Sequence, residues 1–343
     1  MRPTWEDLNA RVHGLAGRFL DRAELQRLAQ CSDLQSLAQK LDALGYAWTG
    51  GAGPDFEASP VALDLAVRRV AASRLRVLSR WSGRRAESLS ALFEDEDRRS
   101  LRAVFRGAVA GVAPEKRLAS TLPTPSLPER ALVELARQPA ASAVATLLLA
   151  WGSPYGSATW AEAQRPQPDL FALELALNRT FAERAARTAR RAGADLVRYV
   201  RETIDLENVW SALALTGPQD RAQVSACFLD GGALLSREAF VSAAESEDSE
   251  AAGAVLAAPF AGSPFARILR PPLRDRVALE DAALRVQILE ARRAARRRPL
   301  GVATVLAYWL RLRAEVRDLR NLIWGITLDA PRAELAEALV GVT

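Results

Sequence analysis

Asp205-Leu206-Glu207-Asn208-Val209 is one of three similar phrases in this chain. The others are Asp97-Arg98-Arg99-Ser100-Leu101 and Asp318-Leu319-Arg320-Asn321-Leu322, so the copies fall about a third of the 343-residue chain apart. Each reads Asp-x-x-Asn/Ser followed by an aliphatic residue, and an apolar residue recurs four places on, at Phe105, Leu213 and Ile326. About 80 residues before each lies a second phrase: Leu20-Asp21-Arg22-Ala23-Glu24-Leu25, Leu127-Pro128-Glu129-Arg130-Ala131-Leu132 and Leu235-Ser236-Arg237-Glu238-Ala239-Phe240. An aromatic residue, Tyr46, Tyr155 or Phe265, sits between the two phrases. Three markers in one order, three times over, describe a unit of about 110 residues used three times. Glycine- and proline-rich breaks precede the second and third leucine phrases and place the units at 1–112, 113–220 and 221–343. Three similar units naturally close around a common axis. Such a body is suited to holding a partner on that axis rather than to forming one catalytic cleft.

The spacing of apolar residues is helical. Leu170, Leu173, Leu177 and Phe181 step by three and four, as do Val302, Val305, Trp309, Leu312, Val316 and Leu319. Ala, Leu, Arg and Glu fill these segments, and no stretch sustains a period of two with β-branched residues. The chain reads as all-α, with a long helical stretch ending each unit: Leu63 to Ala110, Leu170 to Leu215 and Leu279 to Ile326.

The net charge is +5 with a pI near 9.7, yet 46 basic and 41 acidic residues nearly balance. Arginine replaces lysine almost everywhere, since only Lys40 and Lys116 are lysines. Cys31 and Cys227 lie in different units, which argues against a disulfide framework and fits a reducing cytoplasm. The N-terminus has no apolar signal segment. The longest apolar run, Ala140 to Trp151, is too short for the roughly 20 residues of a spanning helix. A soluble chain is expected, reaching a membrane only through a partner.

Catalytic chemistry has little to stand on. His13 is the only histidine, so neither a Cys/His zinc site nor a Ser-His-Asp triad is expected. Neither lysine sits in a phosphate-binding loop. Gly51-Ala52-Gly53 begins like a dinucleotide loop, but Pro54-Asp55-Phe56 ends the match. No cofactor or metal is expected. The densest acidic run is Glu94-Asp95-Glu96-Asp97, which reads as a solvated helix end or a contact for a basic partner. The densest basic run contains Arg292, Arg293, Arg296 and Arg297; it reads as a solvated face, a protein contact, or a site for nucleic acid or anionic lipid. Within the signature, Asp and Asn share one helix face because i and i+3 are neighbours. The pairs Asp97 with Ser100, Asp205 with Asn208 and Asp318 with Asn321 therefore suit fixing register in a helix-rich core. Alternatively, Asp205 caps a helix that begins after Ile204, or the pairs form a shared binding surface.

These residues resemble the central-stalk C subunit (the AC39 family, the d subunit in eukaryotes) of V-type and archaeal-type rotary ATPases. The resemblance covers essentially the whole chain. It rests on Ala10-Arg11-Val12 before the Leu20 phrase and Tyr46, on Ile204 to Asn208, and most specifically on Ala307-Tyr308-Trp309-Leu310 with Glu315-Val316-Arg317-Asp318-Leu319-Arg320-Asn321 and Gly325. Ser100 departs from the family's asparagine, and Ala214 stands where an arginine is common. The resemblance implies three helical lobes in a pseudo-threefold funnel and a non-catalytic role. It further implies a cytoplasmic place on the inner face of the membrane. The partners it implies are the proteolipid c/K ring and the D/F-type shaft subunits, with membrane contact only through the ring and no nucleic acid. The residues alone leave open a helical-repeat adaptor or a basic nucleic-acid-binding protein.

Overall fold

In a computed structural model, residues 4–47, 58–218, 220–270 and 276–341 are described; Gly51-Ala52-Gly53 lies outside them. Among the described residues every regular element is helical. The first third holds α1 (Glu6–Ala16), α2 (Arg22–Ala29), α3 (Leu34–Ala43), α4 (Pro60–Ser82) and α5 (Ala86–Val109). A short α6 (Pro114–Leu118) leads to α7 (Glu129–Ala136), α8 (Ala141–Ala150), α9 (Pro154–Ala163), α10 (Leu170–Ala192) and α11 (Ala194–Ala214). The last third holds α12 (Arg221–Ala226), α13 (Arg237–Ala244), α14 (Ser249–Ala257), α15 (Arg276–Arg297), α16 (Ala303–Thr327) and α17 (Arg332–Glu337). Among the described residues no helix is long and apolar enough to cross a membrane.

The leucine phrase is a helix start. Leu20, Leu127 and Leu235 each immediately precede the N-cap position of α2, α7 or α13. Each is buried in the same cluster as an apolar residue five places on: Leu25, Leu132 or Phe240. This is the apolar clasp that fixes the angle at which a chain enters a helix. Asp21 adds a reciprocal cap: its carboxylate accepts from the Glu24 N–H at 2.8 Å, while Glu24 accepts from the Asp21 N–H at 2.7 Å. Ser236 caps α13 through the same position at 3.2 Å, and Pro128 occupies the place without a cap bond.

Each expected long helical stretch is two helices. The breaks fall at Gly83, at Gly193 and at Pro299–Gly301. Gly193 has φ of +129°, a conformation open to glycine and strained for any other residue. Each third therefore ends in a pair of long helices, α4 with α5, α10 with α11 and α15 with α16.

The apolar clusters do not follow the sequence repeat; two join one third to the next, and one draws on all three. Leu101, Val104 and Phe105 of α5 pack with Leu132 and Leu135 of α7, Val144 of α8 and Leu173 of α10. Val209 and Trp210 of α11 pack with Phe240 of α13, Leu256 of α14 and Leu279 of α15. Leu319, Leu322 and Ile323 of α16 pack with Leu25 and Leu28 of α2, Leu37 of α3 and Leu63 of α4. The packing order is thus cyclic, with the end of the chain resting on its beginning. The joints are unequal: α5 lies along much of α10 and α16 along α4, whereas α11 meets α15 only briefly.

Candidate partner-binding site

The second long helix of each third uses opposite faces for different work. On one face the signature aspartate grips a segment that follows its helix in the chain. Asp205 lies inside α11 rather than capping a helix. It accepts the N–H groups of Ala233, Leu234 and Leu235 at 2.8, 3.1 and 3.2 Å. A Cβ on Gly232 would collide with its Oδ1, so only glycine allows this approach. Asp97 accepts from the Thr124 hydroxyl and, at 2.5 Å, from Ser126. Asp318 accepts the N–H groups of Val340 and Gly341, both at 2.7 Å.

Three residues on, Asn208 donates to the Leu229 carbonyl at 2.9 Å and accepts its N–H at 2.8 Å. Ser100 makes the same reciprocal pair with Leu122, accepting at 3.1 Å and donating at 3.4 Å. One hydroxyl can do this because it is both donor and acceptor. Ser100 therefore keeps the position's role. Asn321 does not: it is exposed and lines the cavity described below.

A glutamate precedes each signature aspartate by three residues: Glu94, Glu202 and Glu315. Sequence reasoning overlooked this recurrence, although it was visible. Glu315 closes the cycle by accepting the Leu20 N–H at 2.7 Å, the Tyr46 hydroxyl at 2.6 Å and Arg74 at 2.5 Å. Glu94 pairs with Arg184 at 3.0 Å, and its carbonyl accepts from Tyr155 at 3.3 Å. Arg74 and Arg184 stand eleven residues after Leu63 and Leu173; the same step from Leu279 reaches Glu290. The joint of α11 with α15 therefore sets glutamate against glutamate where the other two set glutamate against arginine.

Burial pushes the Glu202 carboxyl up to about 7; Arg198 opposes this, and Glu290 and Asp205 add to it. A carboxyl raised above its unfolded value contributes most stability at low pH and loses it as pH rises through about 7. Glu202→Gln is therefore expected to be more stable than the parent at pH 8, by at most about 3 kcal/mol, and to show no gain at pH 4. Equal melting shifts at both pH values would contradict this.

Two residues after each aspartate, Arg99, Glu207 and Arg320 lie about 200° around the helix and face inward. There a buried network ties the thirds together. Arg98, with no exposed side-chain surface, reaches Asp95 at 2.6 Å, Asn178 at 2.6 Å and Glu207 at 2.7 Å. Its guanidinium lies 4.8 Å from the Phe181 ring centroid. Arg102 donates to Asn178 and Glu207, both at 2.9 Å. Asp95 also accepts from Tyr199 at 2.8 Å and Arg313 at 3.1 Å. Burial pushes the Asp95 and Glu207 carboxyls up, but Arg99, Arg98 and Arg313 outweigh it for Asp95, as Arg102, Arg98 and Arg276 do for Glu207; both end well below the usual range. The network thus spans α5, α10, α11 and α16.

Around it opens a cavity of about 660 Å³ lined by one face of α5, one face of α16, the start of α15 and α6. A narrower extension, sharing Arg99, Glu280, Arg313 and Arg317, is walled by Thr203, Leu206, Glu207 and Trp210 of α11. Second helices from all three thirds meet at this space. An outer cleft of about 700 Å³ between α2 and α3, near Ala23 and Leu44, brings no such convergence of charge.

The acidic run does not form an exposed patch, and of its four residues only Glu96 reaches the cavity wall. Glu94, Asp95, Glu96 and Asp97 are all buried on α5. Four consecutive helical residues point in four directions, so each meets a different group: Arg184, the central network, Arg313 at 3.8 Å, and the Thr124–Ser126 turn. The arginine run ends α15 away from the cavity wall. Arg293, Arg296 and Arg297 are exposed, Arg292 is half-buried, and Arg293 pairs with Glu290 at 2.6 Å. Among the described residues no group of three or more His, Cys, Asp or Glu side chains could hold a metal ion.

The described residues form an all-helical body in which α5, α11 and α16 border a cavity rich in charged side chains. The family model described as ATP synthase (C/AC39) subunit matches residues 8–338, and the chain belongs to that family. It is similar to the C subunit of the V-type ATP synthase from each of two strains of Thermus thermophilus. Each relative is 29% identical over 336 residues, covering 97% of this chain and 97% of the relative.

Proposed function

We propose that this chain is the non-catalytic rotor-socket subunit of a V/A-type rotary ATPase. Its three units, 1–112, 113–220 and 221–343, form a funnel-like collar. The collar seats the tip of the D/F-type shaft in its central cavity and rests on the proteolipid c/K ring at the cytoplasmic face of the membrane. Torque passes through it between nucleotide chemistry on the shaft side and proton or sodium movement in the ring. Family membership across residues 8–338 supports the class of complex. The observation that carries the socket role is the cavity where α5, α11 and α16 converge. A torque-bearing collar needs stiffness around an open middle, and the cyclic packing with its buried ion network supplies a physical basis for both. The signature residues Asp97, Ser100, Asp205, Asn208 and Asp318 act structurally here, holding one unit to the next.

The test is isolation of the tagged chain from its native membranes under mild detergent. Shaft and ring subunits in stoichiometric amount are expected. Recovery of the chain alone, or with nucleic acid, overturns the reading.

A further inference from the structure

The central cavity has a strong charge bias. Of the ten charged side chains on its wall, eight are cations and only Glu96 and Glu280 are anions. Several of the arginines hold carboxylates that lie behind the wall, as Arg106 holds Glu174 and Arg320 holds Asp64 at 2.7 Å. These acids are not among the lining residues, where Glu96 and Glu280 are the anions.

Two positions lack full compensation. The Arg102 side chain is 7% exposed, and its buried Nε has no hydrogen-bond partner; the nearest carboxylate oxygen, on Glu174, is 3.6 Å away. Burial pulls its pKa down to about 10 against the attraction of Glu207, with Arg98 and Arg276 adding repulsion. Burial is the main cause, and the neighbouring arginines add to it. Lys116 stands exposed on the same wall with no ion pair among the described residues. Beside these cations are apolar surfaces left open among the described residues: Val277, 61% exposed, and the half-buried Trp324. A 660 Å³ space is of the size that takes the end of a helix rather than a whole domain.

We propose that the partner segment entering this cavity is an acidic helix end carrying carboxylates and at least one apolar side chain, and that Arg102 and Lys116 receive its charge while Val277 and Trp324 receive its apolar side. This rests on reading the cavity as the shaft's seat, and adds to it the chemistry of what is seated. Opposite charge steers encounter and fixes orientation more than it raises affinity. For a subunit that must be threaded onto an assembled shaft, that is the useful property.

The experiment adds negative charge to the wall without disturbing the fold. Lys116→Glu, Val277→Glu and Asn321→Glu each alter a side chain on the wall that makes no ion pair or side-chain hydrogen bond among the described residues. The purified chain is titrated with the purified shaft subunits of the same ATPase at low and high salt. Each variant should weaken binding roughly tenfold at low salt, with the difference shrinking as salt rises. Arg296→Glu and Arg297→Glu, on the outer run, should bind as the parent does. If the parent binds no shaft, the seat reading fails. If it binds and the three variants bind equally well or better, the seat stands and the acidic occupant is overturned. A duplex DNA oligonucleotide is titrated in parallel. DNA binding that the variants abolish, with shaft binding unchanged, would assign the wall to nucleic acid and overturn the proposal. Should one variant fail to fold, judged by its melting curve, the other two decide the question.

Discussion

Arg98→Ala is expected to produce the largest loss of stability of any single change in this chain. The guanidinium has no exposed surface and holds Asp95 and Glu207, which themselves have 0% and 5% side-chain exposure. Removing it leaves two buried carboxylates short of a donor and opens a void beside Phe181. Breaking a buried ion pair from one side costs about 3–5 kcal/mol, and the void adds to that. In a chain of this size the melting temperature should fall by roughly 5–10 °C. Arg98→Met separates the contributions: it fills most of the void but restores no donor, so it should recover only a minor part. The network also fixes a pH dependence. Because Asp95 and Glu207 are depressed below their unfolded values, their contribution is complete above about pH 4.5 and is lost as pH falls through their folded values. The parent should therefore show an acid transition that Arg98→Ala lacks. A variant melting within a degree or two of the parent would show that the network is not what holds the thirds together.

The second large effect is expected at the closure of the cycle. Glu315 accepts from Leu20, Tyr46 and Arg74, and so joins α16 to the beginning of the chain. Glu315→Ala strands a buried hydroxyl, a backbone N–H and a guanidinium whose side chain is 13% exposed. A loss of about 3–5 kcal/mol follows. The damage should be local. Amide exchange should rise in α2 and α3 while α10 and α11 stay protected. Tyr46→Phe, which removes one donor, should lower stability by about 1–2 kcal/mol. Uniform loss of protection over the whole chain would contradict the idea that Glu315 closes a joint.

The all-helical fold was legible because period 3.6 survives in single helices. Asp-x-x-Asn could be read as a polar pair on one helix face, and Asp205 and Asn208 both bond backbone groups of the segment from Leu229 to Leu235. The meaning of Glu94 to Asp97 could not be read this way. Its four carboxylates leave α5 in four directions, and most of their partners come from distant segments: Ser126, Arg184, Tyr199 and Arg313. A charge run looks solvated until those partners are placed. The wall of the cavity was hidden for a related reason. Its cations are spread singly along α5, α6 and α16 at helical spacing, so no local cluster announces them. The compact run at Arg292 to Arg298 drew notice instead, and it lies outside. The glutamate three residues before each aspartate was visible throughout, and so was Glu290 where Arg74 and Arg184 stand. Both required the three copies to be aligned position by position rather than by their markers.

The central claim, that the cavity where α5, α11 and α16 meet seats the rotor shaft, is tested most directly by position. A photo-crosslinking amino acid at 321, exposed on the cavity wall, is activated in the complex isolated from native membranes. The same group at 296, on the outer end of α15, serves as control. The account predicts a crosslink from 321 to a shaft subunit and none to the shaft from 296. A crosslink from 321 to ring or membrane components alone, or shaft capture from 296 and not from 321, would contradict it.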